Sequence, residues 1–194
     1  MNPGSQPETT REAILVATLE LLGAHGLRGT TTRAIADLAG VNEVTIFRKF
    51  GTKHALVREA ISSKLAEFAV ESVAYTGDVE ADLTRLVTGY EAMLEEFGPV
   101  ARSVLTEVPF DDRTAPAVEA LRAVVLTVSD LLVNYQKDGV IRPEPISTMV
   151  PALLGPIVMP VVTGYALMPQ DQEAYRLDAE THVKRFLYGR AVGG

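Results

Sequence analysis

The chain has 194 residues, 47% hydrophobic and 22% charged, with a formal net charge of −7. These are ordinary globular proportions, enough chain to bury a core as one domain or two small ones. There is no cysteine, which excludes disulfides and thiolate metal sites and suits a reducing cytoplasm, the expected location.

Residues 1–8, MNPGSQPE, lack the basic and apolar regions of a secretory signal and read as a flexible tail. Strand signals are scarce and 3.6-residue periodicity is widespread, so the expected fold class is all-α, with about nine helices. The first opens at a possible capping box, Thr9 and Glu12, places Ile14, Ala17, Thr18, Leu21 and Leu22 on one face, and meets a stop signal at Gly26. A short second helix follows Thr31 with Ile35 and Leu38 pointing inward. A third, EVTIFRKF, is capped by Asn42 and ended by Gly51. A longer fourth helix starts near Lys53 and carries Leu56, Ala60, Ile61, Leu65 and Phe68. After the break at Tyr75–Asp78, a stripe from Leu83 to Phe97 makes the fifth, and Pro99 is expected to end it and start the sixth. The seventh runs through Val118, Leu121, Val125, Val128, Leu132 and Tyr135 to Gly139.

From Ile146 to Gln170 no residue is charged, and the stretch is long enough to span a bilayer. Pro151, Pro156 and Pro160 and the lack of a flanking basic cluster argue instead for an eighth helix buried against protein, with no membrane partner. A ninth helix closes the chain.

The charge is uneven. Arg28 to Lys64 holds seven basic and three acidic residues, so the acidic excess lies elsewhere. This is the sign expected of a nucleic-acid-binding head on an acidic body. The two short helices around GVN have the size and spacing of a helix-turn-helix. Ala36 and Ala39 are small enough for close approach, Gly40 suits the left-handed end of the first helix, and the second presents Val44, Thr45, Arg48 and Lys49. Such a helix fits the major groove, where arginine pairs bidentately with guanine and an apolar group meets a thymine methyl.

The stretch TTRAIADLAGVNEVTIFRKFGTKHAL, Thr31 to Leu56, resembles without gaps the DNA-binding segment of the TetR (tetracycline repressor-like) family of transcriptional regulators, whose pattern is roughly T-x-x-x-I-A-x-x-A-G-V-S-x-G-T-L-Y-x-H-F-x-S-K-E-x-L. The resemblance implies a helix-turn-helix DNA-binding domain over residues 9–55, joined by a long helix to a helical ligand-binding and dimerisation domain over 56–194. It implies DNA contacts from Thr31, Thr32 and Arg33, from Asn42, Val44, Thr45, Phe47, Arg48 and Lys49, and from Lys53 at a phosphate. Phe47 stands where the family has tyrosine, Lys49 where it has histidine, and Val44 where glycine or alanine is common. Glu43 is an acid on a helix that would face phosphates. Its carboxylate either stabilises the helix dipole or accepts from cytosine N4.

The resemblance further implies a homodimer on a palindromic double-stranded operator, formed by the last two helices, about 145–167 and 170–190. The interface candidates are Leu154, Val158, Val162, Tyr175, Val183, Phe186 and Leu187. It implies a dimeric repressor released by a small ligand; Tyr90, Met93, Phe110, Met159 and Thr163 are candidates for a largely apolar pocket, with Arg102 beside them on a short helix. No cofactor is expected. An enzyme is disfavoured: His25, His54 and His182 have no nucleophile elbow or phosphate loop beside them, and Glu107, Asp111 and Asp112 are a loose acid cluster. The alternative is a helical protein–protein interaction module without DNA binding.

Overall fold

The computed structural model describes residues 9–107, 115–163, 177–188 and 190. Phe110, Asp111, Asp112 and Tyr175 lie outside them. The described residues form eight α-helices and no strand: α1 (Thr10–Gly29), α2 (Thr32–Leu38), α3 (Glu43–Phe50), α4 (Lys53–Ser72), α5 (Val79–Glu107), α6 (Ala115–Lys137), α7 (Ile146–Thr163) and α8 (Ala179–Leu187). The chain divides into two compact units, Met1–Lys64 with Pro99–Leu121, and Leu65–Gly98 with Arg122–Gly194.

In the first unit α1 begins at Thr9, whose hydroxyl accepts from the Glu12 amide. Gly26 does break the helix, but as a kink at φ 70° within α1 rather than as its end. Ile14 and Ala17 of α1, Ile35 and Ala36 of α2, Ile46 and Phe50 of α3 and Leu56 of α4 make one buried cluster. Arg11 pairs with Glu59 at 2.5 Å and lies over the Phe50 ring at 4.9 Å, pinning α1 to α3 and α4.

The expected break at Pro99 is absent: α5 runs through it as a single helix. Proline forfeits one backbone hydrogen bond, yet packing on both sides offsets the loss. A Cβ on Gly98 would meet Val161 Cγ1 at 2.9 Å, and one on Gly23 would meet the Pro99 ring at 3.5 Å. The pair marks where α5 passes from one unit to the other.

In the second unit, Asp82 is fully buried near the start of α5. It accepts from the Tyr135 hydroxyl at 2.5 Å, the Thr76 amide at 2.6 Å, the Thr76 hydroxyl at 2.8 Å and Arg85 Nη2 at 2.6 Å. Burial opposes its charge, but these bonds together hold the carboxyl below its ordinary value. The same burial, reinforced by the Asp82 bond, raises the Tyr135 hydroxyl. Tyr75, whose hydroxyl donates to Asp138, packs its ring against that of Tyr135 at 4.7 Å with a tilt of 52°.

α7 is long and apolar enough to cross a membrane. The expectation of a buried helix holds on one face: Met149, Val150, Leu153, Leu154, Ile157 and Pro160 are buried, while Pro151, Ala152, Pro156 and Met159 are exposed. His182 of α8 sets its Nε2 2.8 Å from the Leu153 carbonyl, so that nitrogen carries the proton and the ring ties α8 to α7.

Candidate nucleic-acid interface

The geometry of the basic segment follows from its caps and its turn. Thr31 caps α2, its hydroxyl accepting from the Ala34 amide at 3.1 Å. At the other end Gly40 takes φ 67°. Its amide donates to Asp37 and that of Val41 to Ala36, the paired bonds of a Schellman ending. Val41 then packs against the core cluster. Asn42 caps α3 through its Oδ1, which accepts from the Val44 amide at 2.9 Å.

α3 has only eight residues, and its core side is claimed by Ile46 and Phe50, four apart. The opposite side is thereby turned to solvent. Val44 is 70% exposed and Phe47 49%, with Arg48 and Lys49 exposed beside them. This surface offers a methyl pair, an aromatic ring and two cations, the complement of base edges flanked by phosphates.

The other expected contacts are placed less uniformly. Arg33 is exposed on the first turn of α2. Thr31 and Asn42 are exposed, but each has an oxygen engaged as a cap. Thr45 is half-buried on α3. Thr32 donates its hydroxyl to Glu43 Oε1. Lys53 is half-buried, and its ammonium donates to the Leu27 carbonyl at 2.6 Å, just beyond the kink in α1. Sequence reasoning missed the Thr32–Glu43 and Lys53–Leu27 bonds, and nothing in the residue pattern signals either.

Residues 14–60, from the core of α1 to the early turns of α4, match the family model of bacterial regulatory proteins, tetR family. A helix-turn-helix-type transcriptional regulator of Bacillus subtilis, YvkB, is 31% identical over 134 residues, covering 69% of this chain and 71% of that regulator. The chain belongs to the TetR family. The YvkB match extends well past the head. A helix-turn-helix regulator of Mycobacterium tuberculosis is 36% identical over 106 residues, and the chain spans 50% of its length. Among solved structures, a TetR-family regulator of Mesorhizobium loti superposes with a TM-score of 0.68 at 17% identity, covering 97% of this chain and all of that one. Bacillus subtilis FadR in complex with stearoyl-CoA superposes at 0.65 with 16% identity, covering 91% and 95%. These likenesses show the fold: an N-terminal helix-turn-helix followed by a helical C-terminal domain. The protein is thus a TetR-family transcriptional regulator with a DNA-binding helix-turn-helix, not an enzyme.

The candidate ligand residues are placed in different surroundings among the described residues. Tyr90 packs edge-on against Phe68 at 5.5 Å, and burial pushes its hydroxyl up to about 12. Met93 is buried one turn away, Arg102 is exposed, Met159 is 51% exposed, and the Thr163 hydroxyl donates to the Met159 carbonyl. A cavity of about 720 Å³ lies elsewhere in the second unit, lined by Ser72, Asp78, Thr84, Arg85, Thr88 and Gly89 among others. Its lining includes none of the expected ligand residues. Of the dimer candidates, Leu154, Val183, Phe186 and Leu187 are buried within the chain, while Val158 and Val162 are half-exposed.

Proposed function

We propose that this regulator acts as a homodimeric repressor that binds a palindromic operator through α3 and leaves it when a small, largely apolar ligand fills the helical domain. The observation that carries the reading is the division of α3. Ile46 and Phe50 bury one side, and the other carries Val44, Phe47, Arg48 and Lys49. Arg33 and Lys53 add cationic flanks, and Asn42, Thr31, Thr32 and Thr45 shape the approach. Two such heads on a dimer would read half-sites about one helical turn apart. The exposed side of α7, with Pro151, Ala152, Pro156 and Met159, favours a second copy as its cover. The reading makes the protein a cytoplasmic one with no membrane partner and no cofactor. Release would follow if the ligand prefers a conformation with the wrong spacing between heads.

A titration of DNA binding against salt tests this. Phosphate contacts impose a steep log–log slope. Lys49→Ala should flatten that slope by about one contact per head and weaken all duplexes alike. A slope near zero, unchanged by the substitution, would sink the operator reading in favour of a protein–protein module.

A further inference from the structure

The acid that opens the exposed helix has a partner. Thr32 Oγ1 donates to Glu43 Oε1 at 2.5 Å, and both side chains are half-buried. Thr32 is the first residue of α2 and Glu43 the first of α3. The turn at Gly40 joins the C-terminal end of α2 to the start of α3, with Val41 and Asn42 fixing the exit. The Thr32–Glu43 bond joins the opposite end of α2 to that same start. The turn and this bond hold α2 to α3 from opposite ends of α2. The shared core of Ile35, Ala36, Ile46 and Phe50 packs the two helices together, so the bond adds a polar constraint at the end of α2 farthest from the turn. A carboxylate suits this place electrostatically: helix N-termini favour an anion, and a bond to an ionised acceptor is stronger than a neutral one.

We propose that Glu43 is a positioning residue, which sets the pitch of α3 against α2 through Thr32 and reads no base. The Thr32 hydroxyl proton is spent on this bond and not on a DNA phosphate. The consequence for DNA rests on the operator reading above; the bond itself does not.

The test is a double-mutant cycle in the full chain, with Thr32→Val, Glu43→Ala and the pair, read in two ways. In the DNA-free protein, hydrogen exchange across residues 32–50 should speed up in each single variant and no further in the double. Thr32→Ser keeps the donor and should retain wild-type protection, while Glu43→Gln keeps an acceptor, though a neutral and weaker one, and should stay clearly better protected than Glu43→Ala. On a duplex enriched from a random library by the wild type, each disruptive single should lose affinity on the order of tenfold, and the double no more than the worse single. Base preference should be unchanged in all of them. Glu43→Gln should bind at least as tightly as the wild type, because it keeps the bond and removes a charge facing phosphates.

Additive losses would return Thr32 to the phosphate backbone and overturn the proposal. So would a change of base preference in Glu43→Ala that Thr32→Val does not share, or exchange in Glu43→Gln as fast as in Glu43→Ala. If the wild type enriches no duplex, the operator reading fails, and the exchange cycle still decides the bond.

Discussion

Arg48 and Lys49 are adjacent and both exposed, yet their expected roles differ. Arginine offers a planar fork for a guanine edge, whereas lysine offers a point charge for phosphate. Arg48→Ala should cost about 1–3 kcal/mol of operator binding and relax preference at one position of each half-site, as a base-by-base binding profile would show. Uniform weakening across sequences would instead make Arg48 a phosphate contact. Asp82 is a residue whose removal should cost the fold heavily, because it is fully buried and accepts four hydrogen bonds. Its folded-state value is depressed below the ordinary 3.8. Its contribution to stability is therefore complete above that ordinary value and is lost as pH falls through the lower folded one. Asp82→Asn should destabilise the protein by about 3 kcal/mol near neutral pH, since an amide turns a donor toward Tyr135 or Arg85 inside a buried site. Thermal melts should show that deficit shrinking as the pH falls below the ordinary carboxylate value and through the lower folded one, where the wild type loses the same charge. A deficit independent of pH would contradict the assignment. The surface residues of α3 were legible in the sequence because caps and apolar spacing fix the helix phase. Asp82 was not, because its partners Thr76 and Tyr135 are brought to it by folding, Tyr135 from 53 residues away.

Caps and turns also decided what was legible among the elements. Thr9, Thr31 and Asn42 cap where their residue types place them, and Gly40, Gly51 and Gly139 take positive φ at helix ends. Such signals act within four residues and need no tertiary partner. Gly98–Pro99 misled because the same dipeptide that ends a solvated helix survives inside one whose neighbours fill the space. Val161 occupies the gap at Gly98, and Gly23 accommodates the proline ring. A closer crossing joins α4 and α5, where a Cβ on Gly89 would lie 2.6 Å from Ser72 Cβ and 1.9 Å from its Oγ. Rotating the hydroxyl cannot relieve the Cβ contact, so Gly89→Ala should destabilise by about 1–3 kcal/mol. Adding Ser72→Gly should recover part of the loss in the melting temperature. No recovery would mean that the strain lies outside this crossing.

At the scale of the molecule, a net charge of −7 coexists with a basic head because the charge is unevenly distributed along the chain. The basic residues from Arg28 to Lys64 set a local field opposite in sign to that of the acidic remainder. The helical domain was legible only as a class. Its interface candidates Leu154, Val183, Phe186 and Leu187 follow the apolar stripes of α7 and α8, and those stripes are consumed by packing within the chain. Periodicity marks a buried face without saying whose atoms bury it. The exposed side of α7 therefore carries the dimer expectation. Met159→Glu should shift sedimentation from dimer to monomer, with helicity retained and affinity for a palindrome lost. An unchanged dimer would place the interface elsewhere. The most direct measurement is selection of bound sequences from a random duplex library, run with the wild type and with Arg48→Ala. Sequence-specific binding by a dimer predicts enrichment of a palindrome whose half-sites lie about one helical turn apart, relaxed at one position of each half by the substitution. Absence of enrichment, with weak binding indifferent to Arg48→Ala, would contradict it.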